Sequence, residues 1–118
     1  MAAKDELGRR GEDTAVRYLE QLGLVVLSRN WRCRDGELDV VATHGGLLVV
    51  CEVKTRSGTR FGEPAEAVTG RKAATIRRVT RAWLAAHQVG WCEIRFDVVA
   101  VLMEPGRPPT LRHYEGAF

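Results

Sequence analysis

Apolar positions along the chain change period several times, and each change marks an element. Between residues 5 and 22, Leu7, Ala15, Tyr18, Leu19 and Leu22 follow helical spacing, and Gly23 supplies a stop. Gly8 and Gly11 each cost about 1 kcal/mol relative to alanine in a helix interior, which predicts a late helix start or a backbone that another group approaches closely. Glu12 borders the inward stripe of Ala15, Val16 and Leu19. Leu24 to Arg34 alternates loosely, as an edge strand carrying Arg29, Arg32 and Arg34 would. After the turn signal Arg34-Asp35-Gly36, Glu37 to Thr43 and Leu47 to Thr55 read as two strands of a hairpin joined by His44, Gly45 and Gly46.

SGTRFGEP, from Ser57 to Pro64, reads as a loop. From Thr69, a plausible N-cap, to His87 a second helix sets Lys72, Ile76, Val79 and Trp83 on one face and turns Arg77, Arg78 and Arg81 away, with Gly90 beyond its end. Trp91 to Met103 places Cys92, Ile94, Phe96, Val98, Ala100 and Leu102 on one side of a core strand. The tail from Pro105 to Phe118 is proline-interrupted and predicts irregular structure. The pattern therefore gives a single α/β domain over residues 1–104 in the order α-β-β-β-α-β, a mixed β-sheet flanked by helices, with 105–118 as a tail.

The hairpin carries three charges in segments that otherwise read as buried. Period two puts Leu48, Val50, Glu52 and Lys54 on one face, and Leu47, Val49, Cys51 and Val53 on the other. If Thr43 pairs with Leu48 across a four-residue loop, Asp39 sits opposite Glu52. A two-residue loop is expected to make them diagonal neighbours, and a three-residue loop without a bulge sends Asp39 to the wrong face. On an exposed sheet face, Lys54 and one acid would form an ordinary cross-strand ion pair. Yet LLVVCEV is apolar on both faces, the mark of a central strand, where an uncompensated charge costs several kcal/mol, about the scale of a lost buried ion pair. One lysine cannot neutralise two carboxylates, and Glu12 is a candidate third acid. A divalent cation would, and Asp, Glu and a backbone carbonyl are hard oxygen ligands suited to Mg2+.

Composition sets the outer bounds. The 118 residues suit one domain, and 45% hydrophobic with 28% charged residues is ordinary for a globular chain. Cys33, Cys51 and Cys92 lack CxxC spacing and predict reduced thiols. MAAKDELGRRGED has no apolar signal-like stretch and LLVVC is too short to cross a bilayer, so the expectation is a cytoplasmic protein with no membrane partner. Of the 18 basic residues 15 are arginine, and net charge is +3. Lys54, Arg56, Arg60, Arg71, Lys72, Arg77, Arg78 and Arg81 face only Glu63 and Glu66 in their stretch, a local balance of +6. That stripe fits either a polyanion partner or a solvated helix face.

Gly8-Arg9-Arg10-Gly11 matches the GXXG clamp of KH domains, but the strands that accompany such a clamp are missing upstream. Arg9 and Arg10 remain candidates for phosphate contact. Asp97 reads as an ion-pair partner of an arginine. Trp31, Trp83 and Trp91 read as core or interface. The histidines have no metal-ligand spacing, and no nucleophile elbow, P-loop or dinucleotide fingerprint is present.

Asp39 followed by Glu52-Val53-Lys54 in a hairpin flanked by helices resembles the D…(D/E)xK signature of the PD-(D/E)xK nucleases, the restriction-endonuclease-like fold. The wider pattern resembles, more narrowly, a widespread bacterial family related to archaeal Holliday-junction resolvases. It comprises GxxGE from Gly8 to Glu12, RNWRCRDGELDVVA, VCEVKTR, AVTGRK and RFDVVAV, and covers about residues 6 to 103. Leu38 departs from the proline in the superfamily's name, at a structural and variable position. The resemblance implies Mg2+-dependent phosphodiester hydrolysis, with Mn2+ able to substitute. Asp39, Glu52 and the Val53 carbonyl would hold Mg2+, which polarises the scissile phosphate and makes an attacking water more acidic. Lys54 would orient that water or stabilise charge on phosphate, and Glu12 would bind metal through water or help a second ion.

The implied substrate is nucleic acid, expected to be DNA and in its branched form to call for a two-fold dimer. The implied products are a 5′-phosphate and a 3′-hydroxyl. Arg9, Arg10, Arg56, Arg60, Lys72, Arg77, Arg78 and Arg81 are the expected phosphate contacts. For Lys72, snorkelling from the helix face is the favoured reading, with a view into the site as the alternative. The competing function is a noncatalytic nucleic-acid-binding accessory that keeps the fold.

Overall fold

The computed structural model describes residues 3–58 and 68–118. Arg60 and most of the Ser57–Pro64 loop lie outside the described residues. The order is α1 (Ala3–Gln21), β1 (Val25–Cys33), β2 (Gly36–His44), β3 (Leu47–Ser57), α2 (Gly70–Ala86), β4 (Glu93–Met103) and β5 (Thr110–Tyr114). One five-stranded sheet runs β1-β2-β3-β4-β5. It is mixed as expected: β3 and β4 are parallel, and the other three neighbouring pairs are antiparallel. No described helix is long and apolar enough to cross a membrane.

The two helices lie on opposite faces, so the central strands are apolar on both sides. On one face α1 brings Ala15, Val16 and Leu19 against Val40, Ala42, Val49, Cys51, Val99 and Val101. On the other, α2 brings Ile76, Val79 and Trp83 against Leu38, Val41, Leu48 and Val50. This is the core that LLVVCEV predicts: β3 is the middle strand, and Val49, Val50 and Cys51 are fully buried.

Helix α1 begins early despite its glycines. A Cβ at Gly11 would stand 1.9 Å from the Thr55 hydroxyl oxygen, so the helix rests its backbone directly on β3; a Cβ at Gly8 would meet nothing within 4 Å. At the other end Gly23 takes φ +95 while the Leu24 N–H donates to the Leu19 carbonyl, closing the helix as the sequence predicts. In α2, the Thr69 hydroxyl accepts from the Lys72 N–H at 3.2 Å, the expected N-cap.

Three local expectations are corrected. The tail holds a strand: β5 pairs with β4 from Leu102↔Thr110 to Val98↔Tyr114. Pro105, Pro108 and Pro109 all precede it, so none removes a ladder donor. A buried polar knot fixes β5. Asp97, fully buried, accepts from Arg95 through Nε (2.8 Å) and Nη2 (2.9 Å) and from the Gly116 N–H (3.0 Å), and pairs with His113 Nε2 (2.8 Å). The other His113 nitrogen meets the Tyr18 hydroxyl of α1 at 2.9 Å. The Asp97 carboxyl is held below its ordinary value because these hydrogen bonds outweigh its burial.

The second concerns Trp91, expected in the core or at an interface: at 94% exposed it is not in the core, while Trp83 is. The third concerns the hairpin loop. His44 pairs with Leu47, so the turn is the two residues Gly45 and Gly46, yet the register remains Thr43↔Leu48. The alignment expected of a four-residue loop is reached with a two-residue turn, because the ladder extends one step further.

The two α1 glycines give opposite tests. Gly8→Ala is expected to stabilise the protein by up to about 1 kcal/mol through helix propensity alone. Gly11→Ala is expected to destabilise it by about 1 to 3 kcal/mol through overpacking against Thr55. Urea unfolding of both variants reads the difference, and equal effects would rule out the close helix-on-strand contact.

Candidate active site

The β2–β3 ladder ends early, and the candidate site forms where it ends. The last paired residues are Val40↔Cys51, although the same register would next join Asp39 to Glu52. Alternation also breaks here: Leu38 packs with the α2 cluster and Val40 with the α1 cluster, though residues two apart in a regular strand share a face. Across β1, Asn30 takes φ +51, and the β1–β2 register passes from Arg29↔Val40 to Trp31↔Leu38 with no pair between. The Asp39 carboxylate, freed from a regular face, accepts the Val53 N–H at 2.9 Å.

Glu52 follows Leu48 and Val50 toward α2 and is 3% exposed. Lys72 of α2 reaches it, with Nζ 3.7 Å from Oε1. The other oxygen, Oε2, is buried without a hydrogen-bond partner. Burial and then the charge of Asp39 push the Glu52 carboxyl up from 4.5 to about 7, against the pull of Lys72, the Asp39 backbone and Lys54. Asp39 is also raised, by burial and then by Glu37, against the pull of the Val53 hydrogen bond, Lys72 and Lys54. Lys54 is shifted down, chiefly by burial and then by its contact with Lys72. Asp39, Glu52 and Lys54 thus form one electrostatic unit, and Lys72 completes it.

Glu12 approaches from α1. Its Oε1 accepts from Asn30 Nδ2 at 2.6 Å and Arg29 Nη2 at 3.5 Å, and Arg29 also pairs with Asp13. Burial raises Glu12, the Asn30 hydrogen bond opposes this, and the nearby Asp39 charge adds to the rise. Glu12 and Asp39 line a cleft of about 820 Å³ with Leu7, Gly8, Arg9, Asn30, Arg32, Glu37, Val53 and Thr55. Gly8 therefore leaves a cleft wall open, while Gly11 behind it sets the distance between α1 and β3.

The expected phosphate contacts divide. Arg9 lines the cleft, but Arg10 lines a second groove with Asp13, Thr14, Arg17, Met103 and Pro109. Lys72 looks into the site rather than snorkelling away from it. Arg56 follows Lys54 on β3 with an exposed side chain. Arg77 stacks over Phe96 and Phe118, 5.1 and 5.8 Å from the ring centroids, and Arg78 donates to the Thr75 hydroxyl at 3.2 Å. Arg81 is exposed nine residues beyond Lys72, about 14 Å along the helix axis. The structure brings Asn30, Arg32 and Glu37 to the cleft as well; Arg32 and Glu37 are paired there.

Asp39 and Glu52, with the carbonyl of Val53 between Glu52 and Lys54, offer hard oxygen donors. Among the described residues no three His, Cys, Asp or Glu side chains gather into a complete cage. The donor set instead fits an ion that keeps waters and uses one or two carboxylates, as Mg2+ does. The unpartnered, buried Glu52 Oε2 is the observation that supports this fit.

Fold and site together define a small single-domain α/β protein with acids and lysines gathered at an opening in its sheet. The chain belongs to the uncharacterised protein family UPF0102, whose model matches residues 11–101 and so contains Glu12, Asp39, Glu52, Lys54 and Lys72. A UPF0102 protein of Frankia alni is 58% identical over 118 residues, covering 100% of this chain and 98% of its own length. One from Acidothermus cellulolyticus is 50% identical over 127 residues, covering 99% and 96%. Another, from Nocardia farcinica, is 49% identical over 115 residues, covering 98% and 91%.

The site's electrostatics predict a pH-dependent stability. Glu52 binds its proton more tightly folded than unfolded, so its contribution is fully favourable below 4.5 and is lost as pH rises through about 7. Asp39 and Glu12 act in the same direction. In metal-free protein the unfolding free energy from urea titrations is expected to fall between about pH 5 and pH 8, by up to about 3 kcal/mol for Glu52. Glu52→Gln should lose most of that slope; an unchanged slope would place its origin elsewhere.

Proposed function

We propose that the protein is a metal-dependent endonuclease of the PD-(D/E)xK type that hydrolyses phosphodiester bonds of DNA. The observation that carries this reading is the buried, half-unpartnered Glu52 carboxylate beside Asp39 and two lysines, at a break in the sheet next to an arginine-bearing cleft. A buried carboxylate with one oxygen unsatisfied beside a second acid costs stability, and such arrangements are characteristic of sites that bind a cation and act on a substrate.

Asp39, Glu52 and the Val53 carbonyl would hold Mg2+, with Mn2+ able to replace it; the ion supplies charge to the scissile phosphate and acidity to an attacking water. The Val53 N–H fixes the Asp39 carboxylate, so that donor is oriented before substrate arrives. Lys54, whose ammonium is destabilised by burial, can hold a proton at Nζ near the reacting phosphate or release it. Glu12, oriented by Asn30, stands across the cleft from Lys54's strand and positions water there. Arg9 and Arg32 offer phosphate contacts in the cleft, which position a strand without reading its sequence.

Water adds its oxygen to phosphorus, the bond from phosphorus to the 3′ oxygen breaks, and that oxygen takes a proton. The products are a 5′-phosphate and a 3′-hydroxyl. If the DNA is branched, symmetric cutting of a four-way junction would use a two-fold dimer.

Labelled four-way junction, flap, duplex, single-stranded DNA and RNA, each with Mg2+ or Mn2+, provide the test. Metal-dependent cleavage is expected, with Asp39→Asn and Lys54→Ala each lowering the rate by about 100-fold or more. Salt-sensitive binding that survives both substitutions, without cleavage, would replace this reading with a noncatalytic nucleic-acid binder.

A further inference from the structure

Lys72 stands where a cation is needed. Its Nζ lies 3.7 Å from Glu52 Oε1, too far for a hydrogen bond, and its side chain is 43% exposed against 4% for Glu52. The backbone at Lys72 is fixed, because its N–H donates to the Thr69 N-cap. The four-carbon stem is free to swing from that anchor. Lys54 sits on the central strand and is less exposed. With both acids ionised, Asp39, Glu52, Lys54 and Lys72 balance at zero charge.

A divalent ion added to this balanced group leaves two positive charges in excess in a half-buried space. One lysine must then withdraw, and the one with the more open path to solvent is Lys72. Its withdrawal releases Glu52 Oε1, beside the unpartnered Oε2, to oxygen-seeking cations. A strand in the neighbouring cleft would present phosphoryl oxygens to the freed ammonium.

We propose that Lys72 is a tethered stand-in cation, which neutralises the acid pair in the resting protein, is displaced by the divalent ion, and then binds a phosphoryl oxygen of the substrate. This rests on the metal-dependent reading above and adds a regulation to it. Ion and substrate become coupled: each makes the binding of the other more favourable, because the substrate gives the displaced lysine a new partner.

Calorimetry of Mn2+ binding at about pH 8.5, above the Glu52 titration range, tests the exchange. Lys72→Met is expected to tighten Mn2+ binding by about tenfold, having lost both competitor and repulsion. Lys72→Arg, which keeps the charge, should stay within about twofold of wild type. A non-cleavable phosphorothioate duplex should tighten Mn2+ binding to wild type, and by a several-fold smaller factor to Lys72→Met, where only the direct contact of ion with phosphate remains. Equal or weaker Mn2+ binding by Lys72→Met, with binding abolished by Asp39→Asn, would overturn the exchange and leave the metal site standing. Tighter binding with the duplex effect undiminished would overturn the phosphate destination of Lys72. Absence of Mn2+ binding to wild type would overturn the metal-dependent reading and this proposal with it.

Discussion

The hydrogen bond from the Val53 N–H to the Asp39 carboxylate is the constraint on which the candidate site depends. It forms at the point where β2 and β3 stop pairing as backbones, after Val40↔Cys51. A continued ladder would have joined Asp39 to Glu52 as an ordinary cross-strand pair. Instead a side chain replaces a backbone acceptor, so the sheet opens without leaving that N–H unsatisfied. The opening lets α1 deliver Glu12 from one face while α2 delivers Lys72 from the other. Asp39 stands between them, which is why its charge reaches both Glu12 and Glu52.

Such an opening costs stability, and the rest of the fold offsets it. Two apolar clusters clamp the sheet from both faces, and β3 is held along its full length by the parallel β4, from Leu47↔Glu93 to Ser57↔Met103. Beyond β4, the Asp97 network ties β5 and α1 together through His113 and Tyr18. These two buried acids have opposite fates. Asp97 accepts several hydrogen bonds and is held ionised, whereas Glu52 has one oxygen unpartnered and is pushed toward its protonated form. Satisfied buried charge belongs to the scaffold, and unsatisfied buried charge marks the site.

Much of this was legible in the sequence because it follows from periodicity. The apolar run Leu47–Cys51 could only be a strand covered on both faces, and acids embedded in its hairpin had to be either costly or functional. Gly11 announced a close approach, which Thr55 supplies. What escaped depends on non-local geometry. Asn30 looks unremarkable in an edge strand until its left-handed backbone and its bond to Glu12 are seen. From sequence Lys72 reads as a snorkelling side chain, because helical spacing gives a face but not the distance to a strand twenty residues earlier. The tail reads as irregular because its prolines are close to β5 without being in it; Leu111 and His113, alternating in a short run with Thr110 and Tyr114, are the signal of the strand.

The central claim is that Asp39 and Glu52 form a cation site at the end of the β2–β3 ladder. Anomalous diffraction from crystals of the protein soaked in Mn2+ tests it most directly. The account predicts one strong peak between the two carboxylates, within coordination distance of the Val53 carbonyl, with Lys72 moved away from Glu52. An empty position there, with Lys72 still against Glu52 and manganese bound only elsewhere on the surface, would contradict it.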